Sequence, residues 1–287
     1  MILTTKTKVS LAAIAYKAVA IGRGIVGKDD FAIVRRGGTR WSLDLREGID
    51  FSIYLLGCFE RSTGSTLRRL VRPSDVVFDI GANIGAHTLG LARSVGPSGR
   101  VFAFEPTDFA FAKLKRNLAL NPELEARTCA RQILLAADPS APRQPEIYAS
   151  WPLETNDPVH SKHRGRLVTA QHASVDSLDS FSEREGISRL NLIKIDVDGH
   201  ENQVLTGGLR TLTKFRPTLV MEISPYVHSE QNQSFGRLIE LLRDTGYSLQ
   251  EASTRKALPL RADELEALIP DGAGINVIAR SAAIPSP

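Results

Sequence analysis

Residues 76–88 read VVFDIGANIGAHT, and few folds can be built around that order of residues. A short β-branched run, residues 76–80, has the length and composition of a parallel strand buried on both faces. Glycines follow at positions 81 and 85, and an apolar stretch with helical periodicity, residues 84–95, stops at Gly96-Pro97. A strand that enters a helix through a glycine turn is the βα unit of a doubly wound sheet. Glycine tolerates positive φ there and leaves no Cβ between the backbone and a ligand.

The alternation continues along the chain. Residues 101–104 predict a second strand, 108–120 a helix ended by Asn121-Pro122, and 127–135 a third strand. Residues 190–195 and 219–223 repeat the buried-strand pattern with a helix between them. A helix is expected over 235–246, and the last two strands over 247–251 and 275–280. This predicts an α/β fold: a doubly wound, mostly parallel, seven-stranded Rossmann-like sheet, with ligands at the carboxyl ends of its strands. That domain is assigned to residues 75–287. Residues 1–74 are read as an N-terminal extension: a basic helix, strand-like pieces at 32–34 and 39–45, and a helix through 66–70.

The 42% apolar and 24% charged composition describes a soluble globular chain with a sizeable core, and excludes collagen-like, disordered and disulfide-scaffold classes. A net charge of +4, with no ladder of basic and aromatic residues, gives no reason to expect nucleic acid. Cys58 and Cys129 lie far apart among apolar neighbours and read as buried free thiols, which fits a reducing, cytoplasmic setting.

Much of the positive excess sits at the N-terminus, where Lys6, Lys8, Lys17, Arg23, Lys28, Arg35, Arg36 and Arg40 face only Asp29 and Asp30. Within it, LAAIAYKAVAI (residues 11–21) is interrupted by Lys17, lacks a convincing cleavage site and is too short to span a bilayer. It predicts an amphipathic helix packed on the body. Weak contact with an acidic membrane surface is the alternative.

The glycine turn identifies a nucleotide-type ligand, and its acids narrow the choice. A dinucleotide fingerprint, G-x-G-x-x-G, rests a pyrophosphate on a bare helix N-terminus. Here Asn83 replaces the second glycine, and Asp79 brings a negative charge beside the turn. S-adenosylmethionine has no phosphate and carries an ammonium and a sulfonium, so an acidic turn suits it. Glu105 ends the next strand, 20 residues past Gly85, and is expected to accept both ribose hydroxyls. The expected cofactor-binding set is Asp79, Gly81, Asn83, Gly85, Glu105 and Asp196. His87, on the first helical turn, reads as a local packing residue more readily than as a base. A doubly wound oxidoreductase is opposed by Asn83, by Asp79 and by the lack of Tyr-x-x-x-Lys; a non-catalytic scaffold has no physical need for Asp79, Glu105 and Asp196 together.

Further segments carry a resemblance. RRGGTRWSLDLREGIDFSIYLLGCFE (residues 35–60) holds Gly57 and Glu60 in a G-x-[FY]-E pattern. With VFDIGANIGAHT, FAFEP, VDSLDSFSEREGISRLNLIKIDVDGHENQVLTGG (175–208) and VMEIS (220–224), it resembles the FkbM family of methyltransferases over most of the chain. Asp198 departs from the family's usual glutamate, Asp176 and Ser177 shift the usual threonine-leucine-aspartate (Asp179 taking the aspartate place), and residues 137–172 match least. The resemblance implies a class I methyltransferase sheet, S-adenosylmethionine as donor, and O-methylation of a hydroxyl, often on a sugar or a polyketide-like natural product.

Methyl transfer to an alcohol requires in-line alignment and a group to take the proton. Asp196, at the end of strand 190–195, is expected to bind or orient near the methyl group. His200 is the candidate base by its ordinary pKa. Asp198 is a third catalytic candidate, with capping of the next helix as its alternative; capping is the preferred reading for Glu201. No metal is expected, although Asp196, Asp198, His200 and Glu201 with Glu222 offer oxygen and nitrogen ligands. Lys194 is expected to be buried beside Asp79 or Glu222, and Glu60 to reach the cofactor or acceptor. His160, His163 and His172 show no metal-like spacing and read as solvated or substrate-facing. The expected partner is a small-molecule or glycan acceptor, its identity open.

Overall fold

The structure, a computed structural model, describes residues 5–140, 146–155, 159, 165–230 and 233–281. His160 and His163 lie outside the described residues. The chain opens with helix α1 (Thr5–Ile25), hairpin β1 (Phe31–Arg36) and β2 (Thr39–Asp44), and helices α2 (Gly48–Leu56) and α3 (Arg61–Leu70). Then come β3 (Val76–Ile80), α4 (Thr88–Ser94), β4 (Arg100–Phe104), α5 (Asp108–Ala119), α6 (Pro122–Glu125) and β5 (Thr128–Arg131). An irregular middle holds β6 (Ile133–Leu135), β7 (Glu146–Ser150), β8 (Arg166–Thr169), β9 (Ser174–Asp176) and α7 (Leu178–Arg184). The second half is β10 (Leu192–Ile195), α8 (Glu201–Thr206), α9 (Leu209–Phe215), β11 (Thr218–Ile223), α10 (Pro225–Glu230), α11 (Phe235–Asp244), β12 (Tyr247–Glu251), β13 (Ala257–Leu258), α12 (Ala262–Leu268) and β14 (Ile275–Ser281).

The main sheet runs β13-β12-β14-β11-β10-β3-β4-β5. The five strands from β11 to β5 are parallel, and β14 inserts antiparallel between β11 and β12. Strand order reverses between β3 and β10, which puts the ligand crevice of a doubly wound sheet at their carboxyl ends. The predicted α/β class holds. The sheet has eight strands where seven were expected, because the two-residue β13 adds an edge to β12.

Side chains alternate across β3. Phe78 and Ile80 enter a core with Phe104, Phe181 and Ile193, while Val77 points to the other face with Leu89, Leu114 and Leu118. Leu43, Leu45, Phe51 and Ile53 of the N-terminal extension belong to that second cluster. Polar ties join the same surfaces: Asn117 accepts from the Ser42 amide and donates to the Ile84 carbonyl, and Arg93 donates to Gly37 and Thr39. Helix α1 packs inward through Tyr16, whose hydroxyl donates to Asp30 at 3.0 Å and whose ring meets Phe51 edge-on.

Several boundaries differ from expectation for local reasons. Helix α4 starts at Thr88 instead of residue 84, because Asn83 (φ 48°) and Gly85 (φ 91°) hold left-handed conformations. The third strand splits into β5, which joins the main sheet, and β6, which pairs with β9. Two helices, α8 and α9, stand where one was expected between β10 and β11.

Candidate functional site

A cavity of about 940 Å³ opens at the carboxyl ends of β3, β4, β10 and β11. Its polar end is made by Gly81, Ala82, Asn83, His87, Glu105, Lys194, Asp196, Asp198, His200 and Glu222, with Glu60 closing it from the N-terminal extension.

Gly81 is required twice over. Its φ is +75°, and a Cβ there would stand 1.8 Å from the carbonyl oxygen of Asp196. The β3 turn and the end of β10 therefore touch backbone to backbone. Gly85 (φ +91°) meets only the methyl ends of Leu114 and Leu89, 2.9 Å from a Cβ built there. The Asn83 amide donates to Glu105 Oε2 at 2.9 Å, which binds the turn to the end of β4.

Glu105 is buried, and its Oε1 also accepts the amide and hydroxyl of Thr107 at 2.9 and 2.5 Å. Burial pushes its carboxyl above the ordinary range against these donors. A carboxylate has about four acceptor positions, and protein groups use three of them. Both carboxylate oxygens thus carry protein donors, Oε1 from Thr107 and Oε2 from the Asn83 amide.

Asp79 was expected beside the ligand, and the structure places it beneath the turn. It is fully buried and does not line the cavity. Its Oδ2 accepts the Thr88 hydroxyl at 2.6 Å, and its Oδ1 lies 3.2 Å from Lys194 Nζ. Lys194 is buried as expected, donates to the Gly81 carbonyl at 2.7 Å, and lies 3.6 Å from Asp196 Oδ2. Burial opposes its charge, but Asp79 and Asp196 outweigh that and hold the ammonium above its ordinary pKa. The acidity facing the ligand space thus comes from Asp196 and its neighbours, while Asp79 acts beneath the turn.

Asp196 is partly exposed at the rim. Burial raises its carboxyl above the ordinary range, with Lys194 opposing and Glu60 reinforcing. Asp198, at φ +46°, is pushed well up by burial and by Asp196 and Glu201. Burial lowers His200. Glu201 lies beneath the cavity instead of lining it. It accepts the Gly199 amide at 3.3 Å and faces His228 Nε2 at 3.2 Å. Among the described residues, no group of three or more His, Cys, Asp or Glu side chains is arranged to hold a metal ion. His172 is exposed, 3.0 Å from Asp108. Cys58 and Cys129 are free thiols and only half-buried, where full burial was expected.

The pairing of Glu60 and His87 was not legible as one unit. His87 Nε2 is buried, has no hydrogen-bond partner among the described residues and lies 3.9 Å from Glu60 Oε2. Burial disfavours the Glu60 charge, yet His87, Thr63 and Lys194 hold its carboxyl below the ordinary range. The apolar end of the cavity was missed as well: Trp151 and Leu153 reach it because the Gly48 amide donates to the Trp151 carbonyl at 2.9 Å. Nothing in the local sequence marks that contact.

The donor set fits S-adenosylmethionine. Carboxylates surround the polar end, and the lysine there is already engaged by Asp79 and Asp196. The strand order and this site together define a class I, S-adenosylmethionine-dependent methyltransferase domain. The chain belongs to the FkbM methyltransferase family: the family model described as "Methyltransferase FkbM domain" matches residues 79–249.

The 31-O-demethyl-FK506 methyltransferase FkbM of Streptomyces tacrolimicus is 28% identical over 206 residues, covering 62% of this chain and 75% of that protein. The hexuronic acid methyltransferase AglP of Haloferax volcanii is 30% identical over 133 residues, covering 46% and 49%. The chain spans roughly half to three-quarters of the length of the curated relatives it matches. A SAM-dependent O-methyltransferase structure from Thermotoga maritima aligns with a TM-score of 0.43 at 14% identity, covering 92% of this chain and 83% of that one.

Proposed function

We propose that the chain is an S-adenosylmethionine-dependent O-methyltransferase acting on a hydroxyl of a sugar, glycan or polyketide-like natural product. The observation that carries this reading is the acidic polar end of the cavity, where Glu60, Glu105, Asp196, Asp198 and Glu222 converge. When bound, the donor supplies a methyl group on a sulfonium, activated for displacement by an alcohol oxygen. Carboxylates stabilise its two cationic centres, and Glu105 Oε2 receives one ribose hydroxyl.

The chain's own residues divide the remaining work. His200, kept neutral near pH 7 by burial, is free to accept a proton from the acceptor hydroxyl. Asp196, beside Lys194 and at the rim, orients that hydroxyl. Asp198, its carboxyl pushed well above the ordinary range by burial, Asp196 and Glu201, stands next to Asp196 at the same end of the cavity. The names of the two relatives, one a 31-O-demethyl-FK506 methyltransferase and one a hexuronic acid methyltransferase, support the acceptor classes. A cavity of about 940 Å³ is large enough for donor and acceptor together.

Calorimetry of the folded chain with S-adenosylhomocysteine, followed by transfer of labelled methyl to a panel of glycans and macrolides, tests the proposal. Binding with label recovered on oxygen is expected. A folded chain that ignores the product cofactor overturns it.

A further inference from the structure

Helix α1 has two apolar faces, and the described residues cover only one of them. Val9, Ala12, Ala13, Tyr16, Val19 and Ala20 turn inward to the body. Leu11, Ile14, Ala18, Ile21 and Ile25, spaced by three and four, form a stripe along the opposite side. Ile14 and Ile25 are 69% and 82% exposed. Phe31, Ile33, Leu55 and Leu56 are exposed too, and Arg23 joins their segments to the end of α1 by donating to the Phe31 carbonyl and the Tyr54 hydroxyl. An uncovered apolar patch of this kind marks a surface that meets something.

Charge says what it meets. Residues 1–74 hold 13 basic and six acidic side chains, a net +7 in a chain of +4, so the remainder is −3. Lys17, Lys28 and Arg35 are exposed around the stripe. A second copy laid on this face about a twofold axis would bring those like charges together. Anionic headgroups complement them, and the stripe suits the acyl boundary beneath. No helix among the described residues is long and apolar enough to cross a membrane, so α1 would lie in the interface plane. Leu11, Leu55 and Leu56 line the cavity and are also exposed, so its apolar end opens on this same face.

We propose that this face docks the chain on an anionic lipid bilayer, and that an amphiphilic acceptor enters the cavity from the bilayer with its hydroxyl toward Asp196. Docking stands on the stripe and the charge alone; the nature of the acceptor rests on the methyl-transfer reading.

The test is cosedimentation of the full chain with phosphatidylcholine vesicles, with and without phosphatidylglycerol. Binding that needs phosphatidylglycerol and weakens with salt is expected. Ile14→Glu with Ile21→Glu should lower partitioning roughly tenfold or more. Lys17→Gln and Lys28→Gln, which leave the packed face intact, should each lower it about fivefold. S-adenosylhomocysteine binding by each variant reports folding and the donor site separately. Absence of binding to anionic vesicles, or binding unchanged in all of these variants, overturns the docking. A dimer that the Ile14/Ile21 variant dissolves, without vesicle binding, overturns it in favour of a second copy. Vesicle binding without S-adenosylhomocysteine binding removes the acceptor claim and leaves the docking standing.

Discussion

The Lys194 ammonium lies 3.2 Å from Asp79 Oδ1, on neighbouring strands that the β10/β3 register sets directly opposite, and both side chains are shut off from solvent. Removing one partner leaves an uncompensated buried charge, which costs about 3–5 kcal/mol. Lys194→Met should therefore lose about that much in urea unfolding. The Lys194→Met/Asp79→Leu double variant should lose clearly less than the sum of the singles. Additive losses would show that the two charges do not hold each other.

The two glycines of the turn should differ in tolerance. Gly81→Ala drives a Cβ into the Asp196 carbonyl, a backbone atom that cannot yield without moving β10. Gly85→Ala meets only the ends of leucine side chains. Both pay roughly 1–2 kcal/mol for an L-residue at positive φ. Thermal unfolding should rank wild type above Gly85→Ala and Gly85→Ala above Gly81→Ala; the reverse order of the variants contradicts the contact.

Glu105 joins the β3 turn to β4 and lines the cavity. Glu105→Gln places an amide N–H₂ against the amide of Asn83 or the donors of Thr107. We expect affinity for S-adenosylhomocysteine to fall roughly 10–100-fold, equivalent to about 1.4–2.7 kcal/mol. Titration calorimetry checks this, and unchanged affinity removes Glu105 from the ligand's contacts.

The Glu201 carboxyl is pushed up to about 7 by burial, while His228 opposite it is held down to about 4, again by burial, so the histidine offers no positive charge at neutral pH. The folded protein holds the Glu201 proton more tightly than the unfolded chain does. That stabilisation is complete below pH 4.5 and is lost as pH rises toward about 7, roughly 3 kcal/mol in all. Against Glu201→Gln, wild-type stability should fall across this window and level off above it. Parallel pH profiles for the two proteins would contradict the assignment.

How far the sequence could be read depended on the range of the interaction. Val76–Ile80 and Tyr247–Glu251 matched their expected spans, because a strand's side-chain period is a local property. The start of α4 did not, since glycine and asparagine at positive φ delay the helix beyond what apolar periodicity shows. Helix α2 also went unread. In its sequence, GIDFSIYLL, the apolar positions do not announce a boundary, and packing on α1 and β2 stabilises it.

By itself the sequence determined the main alternation of strands and helices from residue 76 onward, the glycine turn at residues 81–85, and the acids at the strand ends, because each follows from neighbours close in the chain. The tertiary structure alone decided what those acids do. Asp79 and Asp196 stand 117 positions apart in sequence yet share one lysine, which turns the first inward as a support and leaves the second at the rim. Glu60 and His87 meet only because the N-terminal extension packs over the β3 turn. Burial, counter-charge and strand register set the role of an ionisable side chain, and all three are fixed by contacts between residues distant in the chain.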